Sequence, residues 1–241
     1  MATERGNISE GTAIIALTRN GAIMARKVAM ALQQDSTLFI DRRFHEDGDS
    51  GNTFDLPLRP VIEHAFNTYS NIIVFLSVGA TIRILSPLLK TKQVDPAVVC
   101  IDDAGNFCVS LISGHVGGAD RLAEEVASCI GARAVVTSAS HASGTLAVDL
   151  LGREFGWRTE ADSTTITRAS AAVINGQSVG IWQGAGESDW WPQDKPLPDN
   201  ISVYPTLEDL AASACNVAPV SYTHLRAHET LRYRGCRRGG G

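Results

Sequence analysis

Between Phe107 and Asp120 the chain reads FCVSLISGHVGGAD, an apolar run that opens through Ser113-Gly114-His115-Val116-Gly117-Gly118 into a helical pattern. Glycines here let the backbone turn sharply and approach a ligand, and the helix start offers N–H groups and a partial positive charge. The chemistry this allows is holding an anion beside an imidazole that titrates near neutral pH. His115 reads equally as a general acid or base and as a loop histidine hydrogen-bonded to a carbonyl. The loop fits neither G-x-G-x-x-G nor G-x-x-x-x-G-K-[ST] and has no lysine, so a nucleotide is the weaker ligand.

A second strand-to-helix opening is Ser77-Val78-Gly79-Ala80-Thr81-Ile82-Arg83. Arg83 offers a rigid fork suited to carboxylates, and its plainer role is a surface ion pair. Lys92, Asp95 and Pro96 follow, with Asp95-Pro96 setting an extended lead-in to the next strand. Asp102 and Asp103 read as turn formers before they read as bases. Thr18-Arg19-Asn20-Gly21 is a third loop expected at the same sheet edge. Arg42 to Pro57, with His45, Glu46, Asp47 and Asp49, lacks a spaced pair on one element and reads as a solvated loop, not a metal site.

The elements that would position these residues alternate. Apolar runs at Ala13–Leu17, Thr37–Ile40, Asn71–Val78, Ala97–Ile101, Phe107–Ile112 and Ala132–Thr137 are mostly continuous, as in strands buried on both faces. Helical patterns lie between them at Gly21–Leu32, Leu58–Tyr69, Gly79–Lys90 with a break at Ser86-Pro87, and Gly118–Ile130. The fold class expected is α/β, a mainly parallel sheet with helices on both faces, plus a smaller α+β central domain. Asp102 to Asn106 reads as a tight turn that adds one antiparallel strand. Beyond Ser143 a helix is expected over Ala147–Phe155. Strands Ala171–Ile174 and Ser178–Gln183 are expected to form a hairpin through Asn175-Gly176, followed by a loop over Gly184–Asn200.

Residues 220–230 resemble one reading frame of a transposase adapter used in DNA library preparation, and LRYRGCRRGGG after them has no apolar periodicity. The expected organisation is an N-terminal domain over 1–142, a central domain over 143–219 and a non-native tail over 220–241, with the natural chain continuing past the break. Setting the tail aside removes five arginines and one glutamate and moves the net charge from -5 to -9. An acidic chain argues against nucleic acid as a partner. With no leader-like N-terminus and no apolar run of membrane-spanning length, the expected location is cytoplasmic, away from membrane. The five cysteines show no C-x-x-C spacing and read as reduced thiols.

SVGATIR, K-x-x-DPAVV from Lys92 to Val99, D-x-x-G from Asp102 to Gly105, SLISGHVGGAD and TSAS at Thr137 to Ser140 are similar, in order and spacing, to the CbiG family of cobalamin biosynthesis. The likeness covers about residues 12–140 well and extends more loosely to about 218; Asp120 stands where the family usually has asparagine, and Ser140-His141 replaces a usual threonine/aspartate ending. The resemblance implies a hydrolase acting on carbon–carbon bonds: a cobalt-precorrin-5A hydrolase that opens the ring-A δ-lactone and releases acetaldehyde. For that reaction the expected roles are His115 as general base, the Gly117 and Gly118 N–H groups on the developing oxyanion, and Gly79, Arg83, Lys92, Ser113 and Gly114 as further substrate contacts. Cobalt would arrive with the corrinoid substrate, so neither a cofactor nor a metal site is expected, and a homodimer is compatible with this reading. The alternatives are a non-catalytic tetrapyrrole-binding module and an unrelated nucleotide-binding α/β protein.

Overall fold

The computed structural model describes residues 9–32, 36–49, 51–91, 94–114, 117–138, 145–152, 155–187, 190–191, 196–224 and 228–233. The chain divides into two compact units, 1–138 and 139–241.

The first unit is built on seven strands: β1 (Ser9–Ala16), β2 (Ser36–Asp41), β3 (Gly51–Phe54), β4 (Tyr69–Phe75), β5 (Ala97–Ile101), β6 (Phe107–Ile112) and β7 (Arg133–Val135). Their order across the sheet is β3-β2-β1-β4-β5-β6-β7. The first five in that order are mutually parallel, β6 is antiparallel to β5, and β7 is parallel to β6. The expected α/β class and the single reversal after Asp102 are both present.

The continuous apolar runs are explained by which face each residue reaches. Successive strand residues point to opposite sides. Ile14, Ala16, Leu38, Ile40, Ile73, Phe75, Val99 and Ile101 therefore pack with helices α1 (Arg19–Leu32) and α4 (Ala119–Ile130). Ala13, Ile15, Phe39, Ile72, Val74, Val98 and Cys100 pack on the other face with α2 (Arg59–Thr68) and α3 (Val78–Leu85). Helix α3 stops before Ser86-Pro87, where the break was expected. No helix among the described residues is long and apolar enough to cross a membrane.

One correction in this unit concerns Arg42 to Pro57, read from sequence as loop throughout. It holds a single 3-10 turn, Arg42–Phe44, and the edge strand β3. A short edge strand whose Phe54 alone is buried has no apolar alternation to reveal it.

The second unit carries β8 (Arg158–Glu160), β9 (Val179–Gln183), β10 (Ile201–Tyr204), β11 (Pro219–His224) and β12 (His228–Tyr233), ordered β10-β9-β11-β12-β8. Helices α5 (Ser163–Ile174) and α6 (Leu207–Ala212) complete the smaller α+β arrangement. All of β12, and β11 from Val220 on, thus fall in the segment read from sequence as a tail, where β11 pairs with β9 as well as β12, and β12 with β8.

Two expectations fail in this unit. The Asn175-Gly176 hairpin is absent, because Ala171–Ile174 is the last turn of α5. Asp162 caps that helix, its side chain accepting the Thr165 N–H at 2.9 Å. Gly176, at φ 72°, ends it: Gly176 N–H donates to the Val173 carbonyl at 3.0 Å and Gln177 N–H to the Ala172 carbonyl at 2.9 Å. This is a Schellman ending, which needs the same left-handed glycine as a hairpin turn. The helix expected over Ala147–Phe155 is a run of turns among its described residues, with Gly152 at φ 72° interrupting it.

Candidate active site

The turn between β5 and β6 decides which residues meet. Asp102 accepts the Phe107 N–H on its side chain at 2.6 Å and the Gly105 N–H on its carbonyl at 2.9 Å. Strand β6 therefore returns antiparallel, with Cys108 opposite Ile101 and Ile112 opposite Val98. The Ser113–Gly118 loop leaves at the sheet edge where the parallel strands begin, whereas the loops at Thr18 and at Ser77–Gly79 leave where β1 and β4 end. The two edges are roughly 15 Å apart at ~3.3 Å per strand residue. The expectation of one shared edge is corrected by the antiparallel turn itself.

At the first edge the loop is closed by a set of specific bonds. Ser113 adopts a left-handed backbone, φ 56°, and its Oγ donates to the Asp95 carbonyl oxygen at 3.0 Å. The Ala119 N–H donates to the Ser113 carbonyl at 3.2 Å and the Asp120 N–H to the Gly114 carbonyl at 2.9 Å. A Cβ on Gly117 would overlap the Ser113 Cβ and carbonyl oxygen, and Gly118, at φ 93°, occupies a conformation that a side chain disfavours. Helical bonding in α4 begins with Leu122 N–H on the Gly118 carbonyl at 3.0 Å. Among the described residues the N–H groups of Gly117 and Gly118 have no acceptor, and donors of this kind at a helix start can bind an oxyanion or carboxylate.

Asp95 is the residue the sequence undervalued. It is 5% exposed, both carboxylate oxygens accept the Lys90 N–H at 3.1 Å, and its own carbonyl receives Ser113. Through that one residue the K-x-x-D-P block and the glycine loop become neighbours. The signal was the spacing of Asp95 within its motif, which a role as strand lead-in did not exhaust. Ser110 Oγ donates to Asp120 Oδ1 at 2.6 Å beside the same loop. His115 and Lys92 lie outside the described residues.

At the opposite edge, Gly79 and Arg83 are exposed, and Arg83 Nη1 donates to the Gly79 carbonyl at 3.2 Å. The structure thus does not bring these two together with Ser113, Gly114, Gly117 and Gly118. The Asp103 carboxylate takes the Thr18 hydroxyl and, at 3.3 Å, the Asn20 amide. The crevice between β1 and β4, where strand order reverses and doubly wound folds receive nucleotides, is therefore met by an anion of the protein's own.

The acidic loop after β2 is structural. Arg26 binds Asp49 through two bonds of 2.7 Å, and this guanidinium holds the Asp49 carboxyl down at about 2. His45 lies 3.3 Å from the same carboxylate. Among the described residues no cluster of three or more His, Cys, Asp or Glu is placed to hold a metal ion. Burial pushes the Cys100 thiol up to about 11 and that of Cys108 up to about 12, so both stay protonated and inert at neutral pH.

Comparison with known proteins follows the same outline. A family model described as cobalamin synthesis G N-terminal matches residues 60–141, and one described as cobalamin biosynthesis central region matches 146–232. A cobalt-precorrin-5A hydrolase of Priestia megaterium is 35% identical over 230 residues, covering 94% of this chain and 60% of that protein. A cobalt-precorrin-5A hydrolase of Salmonella typhimurium is 33% identical over 176 residues, covering 73% and 49%. The chain thus spans about half to three-fifths of these relatives' lengths. A solved structure described as a cobalamin biosynthesis protein G homolog from Sulfolobus solfataricus aligns with TM-score 0.50 at 18% identity, covering 95% of this chain and 61% of that one, and supports the fold. With the N-terminal and central regions both present and in order, the chain belongs to the CbiG family of cobalamin biosynthesis.

Proposed function

We propose that the chain is the catalytic portion of a cobalt-precorrin-5A hydrolase, working in the cytoplasm. It opens the ring-A acetic-acid δ-lactone of its cobalt-corrinoid substrate and releases the two-carbon C20 fragment as acetaldehyde, a carbon–carbon cleavage that leaves cobalt-precorrin-5B. The observation that carries this reading is the closed glycine loop, whose Gly117 and Gly118 N–H groups have no acceptor among the described residues while the flanking Ala119 and Asp120 N–H groups are taken. Lactone opening develops negative charge on the carbonyl oxygen, and fixed backbone donors stabilise such charge without reorganisation.

In this proposal His115 removes the proton from the attacking water. Gly117 and Gly118 hold the oxyanion, and Lys92 binds a peripheral carboxylate of the macrocycle. The cobalt is part of the substrate and the protein contributes no cofactor. Arg83 and Gly79, on the other edge, bind a carboxylate remote from the reacting lactone.

The test is anaerobic incubation of the purified chain with cobalt-precorrin-5A and measurement of acetaldehyde. One acetaldehyde per precorrin is expected. His115→Ala should slow this by roughly a hundredfold or more; turnover at the wild-type rate removes His115 from the mechanism. The competing reading is a tetrapyrrole-binding module without turnover. A corrinoid spectral change with no acetaldehyde would establish it.

A further inference from the structure

We propose that Ser113 is a positioning residue of this site, which sets the glycine loop through its backbone and does not use its hydroxyl on the substrate. The proposal rests on the substrate site lying at this loop. Ser113 is the non-glycine residue at positive φ among the described residues. A side chain makes that conformation unfavourable, and such strain persists where surrounding bonds over-determine it.

A serine hydroxyl has one proton to donate, and that of Ser113 goes to the Asp95 carbonyl at 3.0 Å. The Ser113 carbonyl receives the Ala119 N–H at 3.2 Å. The Ser113 Cβ fills the space that any side chain on Gly117 would need. Left-handed Ser113, bare Gly117 and the direction of the Gly117 and Gly118 N–H groups are therefore one arrangement. Asp95 anchors it, because its buried carboxylate is itself fixed on the Lys90 N–H.

Glycine at 113 would adopt the same backbone without strain, but it could not reach Asp95. Serine trades comfort for a cross-link between two segments 18 residues apart in sequence. The two possible roles of the hydroxyl then separate by substitution. If it touches substrate, Ser113→Gly and Ser113→Ala lose the same contact and the same activity. If it positions the loop, Ser113→Ala keeps the strain and loses the bond that offsets it, while Ser113→Gly loses both together.

The experiment compares the two variants with wild type in acetaldehyde release and in amide hydrogen exchange at Ala119 and Asp120. The expected result is that kcat of Ser113→Ala falls roughly tenfold below that of Ser113→Gly, with KM within about twofold, and that its two amides exchange roughly tenfold faster. Equal loss of turnover in both variants, with exchange as in wild type, overturns the proposal and makes the hydroxyl a substrate contact. Exchange reads the loop without substrate. A wild-type chain that releases no acetaldehyde therefore sinks the proposed hydrolase activity, while exchange in Ser113→Ala no faster than in Ser113→Gly sinks the positioning role.

Discussion

Ser110 Oγ, on β6, donates to Asp120 Oδ1, in the first turn of α4, at 2.6 Å, and so bridges the strand and the helix on either side of the glycine loop. A Cβ on Gly114 would lie 2.5 Å from that carboxylate oxygen and 3.2 Å from the serine hydroxyl. Gly114→Ala must therefore displace the bridge, and should destabilise the first unit by about 1–3 kcal/mol in thermal unfolding. Asp120→Asn keeps a carbonyl oxygen for Ser110 and should shift Tm by less than about 2 °C. A Gly114→Ala protein as stable as wild type would show that the bridge does not constrain the loop.

Helix α5 makes its own prediction, since it stands where a hairpin was expected. Gly176→Ala should cost about 1 kcal/mol, because the Schellman ending holds residue 176 at φ 72°. A hairpin turn would also suffer from that change, so Asp162→Ala is the deciding variant. It removes the cap on Thr165 and should lower both Tm and helical circular dichroism, which a hairpin over 171–183 would not register.

Acid titration should expose the Arg26–Asp49 pair. The folded pKa of Asp49, about 2, lies below the roughly 3.9 of an unfolded aspartate. The pair's contribution is complete above about pH 4 and is lost as pH falls from there towards 2. Arg26→Gln should lower stability at pH 7 and flatten its pH dependence across that window, measured by urea unfolding at a series of pH values. A slope unchanged from wild type would assign the acid sensitivity to other carboxylates.

Ligand protection should separate the family reading from a nucleotide-binding one. Asp103 already engages the Thr18 hydroxyl and the Asn20 amide at the crevice where a nucleotide phosphate would sit. Millimolar ATP or NAD should leave Tm unchanged, whereas cobalt-precorrin-5A should raise it by mass action. Protection by nucleotide but not by corrinoid would reverse the functional conclusion.

Much of this was written into local sequence. Continuous runs such as Ala97–Ile101 announce strands buried on both faces, and the periodic Leu122, Val126 and Ala123, Ala127 announce α4, because burial and helical period are properties of short segments. The turn at Asp102–Asn106 and the stop at Ser86-Pro87 were legible for the same reason. The Schellman ending at Gly176 was not, since Asn-Gly serves a hairpin and a helix end alike and only the packing of Ala169 and Val173 in the core chooses between them.

The sequence by itself determined which residues could do chemistry: a histidine among glycines at a helix start, within motifs that mark the family. Tertiary structure decided which of them share a place. One antiparallel strand carries the Ser113–Gly118 loop to the edge opposite Gly79 and Arg83, and the bond from Ser113 to the Asp95 carbonyl joins two motifs that are 18 residues apart. Strand direction and a side-chain bond to a distant backbone carbonyl depend on how the sheet assembles, and no local pattern of residue types encodes them.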